Sequence, residues 1–308
     1  MPIIKIKVVS TIAAFEKEIK MQIKFVKNFI PLQPIPKQNQ IIFCGTGDSF
    51  VSAKLGEVFS DFKIQAFDPL ELLANKKLLR KKKLYLISIS GNTISNIKLA
   101  KAYRNTVAIT ANKQSRLAKK CNGIIPLNFE NTAIQTAGSI SFLASALTCI
   151  SLVTRFSLKD AHYLFCMADR MAKKISLSGT VFVLGNYWSY PVAMYCVAKL
   201  YETLGLDAHY ERIEEFSHMG LFSCKKGDTI LVFEKKNSHN QKLLAGLKRY
   251  GLNAMRIDPP SLNKFNQVLF FIFVSQLLAL YSAKKKRKKD CFFVEQKKLR
   301  DTSSAMIY

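Results

Sequence analysis

From position 40 to 283 the chain alternates short apolar runs with segments of helical apolar spacing, and this alternation restricts the possible folds more than any other feature. Runs at 41–44, 62–67, 84–89, 106–110 and 124–127 are short and rich in β-branched and aromatic residues, which reads as buried strands. The segments 50–59, 69–75, 94–103, 115–121 and 137–156 read as the helices between and after them. Parallel strands need crossover connections, and the crossover helices cover the sheet, so the pattern implies a parallel sheet shielded on both faces. The second half repeats the logic, with strands expected at 181–184, 206–212, 229–233 and 254–257 and helices at 191–204, 241–250 and 265–283. The expected fold class is α/β, with two tandem doubly wound parallel sheets.

Ahead of the first strand, Ile12, Phe15, Ile19, Ile23, Val26 and Ile30 recur at three- and four-residue steps, an amphipathic helix closed by the proline-rich 31–36 segment. The expected organisation is an N-terminal helix and linker at 1–38, a first domain at 39–157, a second at 158–283, and a basic loop with a tail at 284–308. The tail is polar and is expected to pack back on the body.

Composition narrows the function classes. The seven cysteines include no CxxC pair, which fits neither a disulfide framework nor a zinc site and suits a reducing, cytoplasmic setting. Positions 1–7 lack the long apolar core of a secretion signal. The apolar stretch at 268–281 is interrupted by Ser275 and Gln276 and reads as a buried helix, so no membrane partner is expected. The net charge of +26 predicts attraction to polyanions, but the lysines are scattered and no nucleic-acid signature accompanies them. A solvated basic surface is expected, with nucleic-acid binding unlikely.

Ligands of parallel sheets sit beyond the carboxyl ends of the strands. Two small, hydroxyl-rich turns fall there: Gly45-Thr46-Gly47-Asp48-Ser49 and Ser88-Ile89-Ser90-Gly91-Asn92-Thr93. A strand, such a turn and a helix start together make an anion site, because the helix offers unpaired N–H groups and the positive end of its dipole. The same residues are ordinary turn and cap formers. Local sequence alone leaves both readings open. Gly185 to Ser189 stands at the corresponding place in the second half.

These motifs resemble the SIS (sugar isomerase) family in its tandem form, in which each domain is flavodoxin-like. Ser-Ile-Ser-Gly-Asn-Thr is similar to the family's Ser-x-Ser-Gly-x-Thr phosphate loop, and Ser115-Arg116-Leu117-Ala118 to the helix start that follows. Glu202 stands sixteen residues before His218, which follows Glu215-Phe216-Ser217, and this resembles the family's helix glutamate and loop histidine. The segment 275–279 is similar to the closing helix of the isomerase half of glutamine–fructose-6-phosphate amidotransferase. Length and the asparagine at 92 look more like the archaeal-type phosphoglucose/phosphomannose isomerases.

The resemblance implies an aldose–ketose isomerase of a hexose 6-phosphate, free of metal and cofactor. Gly47, Ser49, Ser88, Ser90, Gly91, Asn92 and Thr93 would hold the phosphate. Glu202 would move the proton between C1 and C2, and His218 would open the ring, reaching the site of a second subunit in a homodimer with shared active sites. Lys298 falls at the position of the family's C-terminal site lysine, with Lys297 and Arg300 as neighbours. Gln135 stands where the phosphoglucose/phosphomannose isomerases carry an arginine, and Glu215 is a candidate to orient His218. Two further expectations remain open: an isomerase or deaminase of glucosamine 6-phosphate, and a non-catalytic phosphosugar-binding regulator.

Overall fold

A computed structural model describes residues 10–158, 160–260 and 263–308. The leader expectation at 1–7 lies outside the described residues. Helix α1 (Thr11–Asn28) is capped by Ser10, whose Oγ accepts from Ala13 N–H (3.2 Å). The first sheet then takes in β1 (Ile41–Cys44), β2 (Gln65–Phe67), β3 (Lys83–Ile87), β4 (Thr106–Thr110) and β5 (Gly123–Pro126). All its pairings are parallel and the strand order is β2-β1-β3-β4-β5. Its helices are α2 (Asp48–Phe59), α3 (Pro69–Ala74), α4 (Ile94–Ala102) and α5 (Ile140–Ser151).

After α6 (Ala161–Lys174) the second sheet is built from β6 (Val181–Gly185), β7 (Ala208–Glu211), β8 (Thr229–Phe233) and β9 (Asn253–Arg256), again parallel, in the order β7-β6-β8-β9. Helices α7 (Ser189–Leu204), α8 (Ile213–His218), α9 (Ser238–Tyr250) and α10 (Lys264–Lys285) accompany it, and α11 (Phe292–Glu295) and α12 (Lys297–Ile307) end the chain. The α/β class with two parallel sheets is as expected.

Alternate strand residues serve different layers, as a doubly covered sheet requires. Phe43, Tyr85, Ile87, Val107 and Ile109 of the first sheet, and Val181, Val183, Leu231 and Phe233 of the second, share one core with α1, α2, α5, α6, α7 and α10. Ile42, Leu84, Leu86 and Ala108 face the opposite way, toward α3 and α4. Phe182, Leu184, Ile230 and Val232 likewise pack on α8 and α9. The helices α2 and α7 thus meet in a layer between the two sheets.

Several elements differ from expectation. The 115–121 segment forms only a 3-10 turn at Ala118–Lys120, because Ser115 Oγ and Asn112 Oδ1 take the N–H groups of Ala118 (3.2 Å) and Gln114 (2.9 Å) in local turns. Helix α6 carries only Leu164, Ala168 and Ala172 as buried residues, a stripe too narrow to stand out in the sequence. Helix α10 is longer than its apolar stretch and is long and apolar enough to cross a membrane by length and composition. It is instead enclosed by protein, with Phe271 stacked on Phe233 (4.9 Å) and Phe273 edge-on to Phe165 (5.4 Å). Only part of the tail packs back. The Phe292 ring occupies the space beside Gly205 at the end of α7, whereas α12 buries no side chain.

Candidate functional site

The order β2-β1-β3-β4-β5 places a topological switch point between β1 and β3, where successive connections leave to opposite faces and a crevice opens beyond the strands. Both hydroxyl-rich turns lie there. After β3, Ser88 Oγ accepts from Gly91 N–H (3.1 Å) and pairs with Thr93 Oγ1 (3.1 Å), and Ser90 Oγ accepts from Asn92 N–H (3.3 Å). Thr93 is the N-cap of α4, but no side chain bonds the helix's first turn. Its N–H groups remain available to an anion. Gly91 has φ 66°, and a Cβ there would lie 2.1 Å from Ser115 Oγ and 3.0 Å from Thr110 Oγ1. Only glycine lets this turn close.

After β1, Gly47 is the N-cap of α2, and buried Ser49 follows Asp48 at the helix start. Asp48 Oδ2 accepts from Lys199 Nζ (2.8 Å), which reaches across from α7 and also donates to Glu202 Oε2 (2.6 Å). Lys199 is fully buried, and its ammonium lies 4.9 Å from the centre of the Tyr195 ring. Burial works against its charge, but the Asp48 and Glu202 carboxylates outweigh that and hold the lysine above its ordinary range.

Glu202, 35% exposed, is pushed above the ordinary carboxylate range chiefly by burial, opposed by the Lys199 charge and reinforced by Asp48. The backbone N–H of nearby Gly138 also favours its charged form. Gly138 belongs to the loop between β5 and α5 and passes so close that a Cβ there would lie 2.2 Å from Asp48 Oδ2. That loop is held from two sides. Glu18 on α1 accepts from Thr132 N–H (3.1 Å), Thr132 Oγ1 (2.8 Å) and Ser139 Oγ (2.9 Å). Tyr195 Oη donates to Gly138 O (2.7 Å) and accepts from Gln276 Nε2 (2.9 Å). Asp48 Oδ1 is buried without a hydrogen-bond partner.

The structure therefore gathers Gly47, Ser49, Ser88, Ser90, Gly91, Asn92 and Thr93 at one crevice, with Glu202 tied to its edge through Lys199 and Asp48. It does not bring His218 there within one chain. Helix α8 sits at the other end of α7, where Ile213 N–H donates to Asn186 Oδ1 (3.3 Å) and Phe216 packs on Phe182. Glu202 lies further along α7 from Ser189 by about 20 Å. His218 is exposed and meets Glu214 at 3.2 Å, and Glu215 is exposed beside it. Lys298 is exposed on α12, which follows α11 at the same end of α7 as Glu202. Gln135 is exposed on the Gly138 loop.

Asp48 appeared in the sequence only as a member of the first turn, and Lys199, Gly138 and Tyr195 were not singled out. One signal for Lys199 was visible: a lysine three residues before Glu202 on a helix that is otherwise apolar. Where Ser88 follows β3, Glu234 follows β8, accepting from Asn240 Nδ2 (2.8 Å) and Asn237 Nδ2 (3.0 Å). Among the described residues no cluster of three metal-ligating side chains occurs.

Solved structures of several sugar-phosphate enzymes share this two-sheet α/β architecture. Solved structures with this fold include glucosamine-6-phosphate deaminase from Thermotoga maritima, 18% identical over 91% of this chain and 95% of that one, with TM-score 0.73. They also include the C-terminal domain of glucosamine-fructose-6-phosphate aminotransferase from Francisella tularensis, 18% identical over 88% and 95% of the two chains, with TM-score 0.68. A third is tagatose-6-phosphate ketose/aldose isomerase from Escherichia coli, 18% identical over 91% and 90%, with TM-score 0.66. At such identities the likeness is one of fold. No family profile and no curated protein sequence matches the chain.

Proposed function

We propose that the protein is a cytoplasmic phosphosugar isomerase that interconverts a hexose 6-phosphate aldose, glucose or mannose 6-phosphate, with fructose 6-phosphate. What supports this reading is Glu202, a carboxyl group with a raised proton affinity, tied through Lys199 to Asp48 at the crevice beyond β1 and β3. The Ser88–Thr93 turn and the first turn of α4 bind the phosphate, which fixes the sugar chain relative to Glu202. Glu202 removes the C2 proton of the open-chain aldose and returns it to C1 through an enediolate. Its raised affinity suits both transfers near neutral pH. Lys199 faces the carboxylate and stabilises negative charge as it develops nearby. His218 serves ring opening in a second subunit, Lys298 completes the site from α12, and Glu215 orients the histidine. The Gln135 position supplies no charge to the enediolate, so turnover is slower than an arginine there would allow.

The test is Glu202→Gln, assayed with coupled enzymes on glucose, mannose and fructose 6-phosphates and by calorimetry for binding. Turnover is expected to vanish while binding persists. Undiminished turnover sinks the mechanism, and binding without turnover in the unaltered protein favours the regulatory reading.

A second reading has its own observation. The Asp48 carboxylate at the start of α2, 18% exposed, would accept a hydrogen bond from a 2-amino group, which suits glucosamine 6-phosphate. Ammonia release from that sugar distinguishes it.

A further inference from the structure

In the sequence the +26 charge is spread over many short basic groups and reads as a solvated surface. Folding gathers part of it. On α1, Lys17, Lys20, Lys24 and Lys27 recur at three- and four-residue steps and all are exposed, opposite the buried stripe of Phe15, Ile19 and Gln22. They form a row about 15 Å long. Helix α10 runs antiparallel to α1, with Gln276 meeting Gln22 and Lys284 meeting Glu16. The run at 284–289, Lys-Lys-Lys-Arg-Lys-Lys, therefore extends the row past the start of α1. It is anchored there: Asp290 Oδ1 accepts from Thr11 N–H and Oγ1 (both 2.9 Å), and Lys289 O accepts from Ile12 N–H (3.2 Å).

Acidic groups are few on this face and each is engaged. Glu16 pairs with Lys20 and Lys284, Glu130 with Lys24, and Glu295 with Lys288, while Asp290 holds the helix start. The ten cations keep a large positive excess over these four acids. We propose that this face docks the phosphodiester backbone of a duplex nucleic acid without regard to sequence. A duplex carries one negative charge every ~1.7 Å of axis, so each lysine of a row stepped by about 4.5–6 Å has a phosphate within reach. A lipid surface is the poorer fit. Membrane-seated helices set apolar side chains beside their lysines, whereas Ile12, Phe15, Ile19 and Val26 of α1 are buried in the core and Phe25 is partly buried against it. The surface stands apart from the sugar-phosphate crevice and does not depend on that reading.

The experiment is fluorescence anisotropy of a labelled random-sequence DNA duplex titrated with the full chain at several salt concentrations. With about six phosphates neutralised, log affinity falls against log salt with a slope of about 5, roughly a thousandfold loss between 50 and 200 mM. The variants K17Q/K24Q/K27Q and K285Q/K286Q/R287Q each lower that slope by about 3. K235Q/K242Q/K248Q, on the second-sheet side, leaves it unchanged. The two patch variants are independent, so failure of one to fold leaves the other decisive. Equal losses in all three variants would mean that bulk charge alone binds, which overturns the proposal. Absence of salt-dependent binding overturns it too, as does binding to phosphatidylserine vesicles but not to the duplex.

Discussion

Asp48 and Lys199 form a 2.8 Å ion pair in which the lysine is wholly buried and the carboxylate begins a helix of the other sheet. The contact joins the crevice of the first sheet to the main helix of the second. Removing one partner of a buried pair leaves the other charge uncompensated, which costs about 3–5 kcal/mol. Here two carboxylates, Asp48 and Glu202, would be left facing each other. Lys199→Met is accordingly expected to lower stability by about that much in urea unfolding. Adding Asp48→Asn should recover part of the loss. A single variant as stable as the parent would show that the lysine is not the keystone of this junction.

The raised proton affinity of Glu202 makes stability depend on pH. Burial is its first cause, and Lys199 and the Gly138 N–H only partly offset it. Because the folded value lies above the ordinary 4.5, the folded chain keeps this proton where the unfolded chain has lost it. The associated stabilisation is complete below the ordinary value and is lost as pH rises through the folded one. The melting temperature of the parent minus that of Glu202→Gln should therefore fall as pH rises from 4.5 toward neutrality. A flat difference would contradict the shift. Turnover should show the matching acid limb, rising with pH through the folded value.

Gly91 tests the proposed phosphate-binding role of the Ser88–Thr93 turn. Its φ of 66° and the 2.1 Å approach to Ser115 Oγ mean that Gly91→Ala must move the turn or Ser115. The expected result is a stability loss of about 1 kcal/mol or more, with phosphosugar affinity falling at least tenfold in calorimetry. Ser90→Ala, on the rim, should weaken binding with little effect on melting. Equal binding by Gly91→Ala would remove this turn from the site.

Much of the architecture was legible because it rests on local pattern. The strand runs alternate between two buried faces, and the helices that cover them carry clear apolar stripes. Helix α6 escaped notice because only Leu164, Ala168 and Ala172 are fully buried, while Phe165, Met167 and Met171 are only partly buried against the core. The 115–121 segment misled because its apolar spacing suits a helix, while Asn112 and Ser115 satisfy its backbone locally. The Ser88–Thr93 turn was readable for the same local reason. Asp48, Lys199 and Gly138 were not, since they lie 151 residues apart or on separate loops and meet only after the sheets pack. No spacing rule announces such a meeting.

His218 provides the last test. It lies at the amino end of α7, and Glu202 lies about 20 Å along that helix from Ser189, so a single chain does not unite them. If both act in one reaction, two chains must share each site. Glu202→Gln and His218→Ala should then be inactive alone, yet regain turnover after the two are mixed, unfolded and refolded together, because mixed dimers contain one intact pair. Sedimentation should show a dimer whose dissociation on dilution parallels the loss of rate. If the mixture stays inactive while the parent recovers under the same treatment, the histidine does not act across subunits. Full activity of His218→Ala on its own would remove it from catalysis and leave ring opening to solvent or to another group at the crevice.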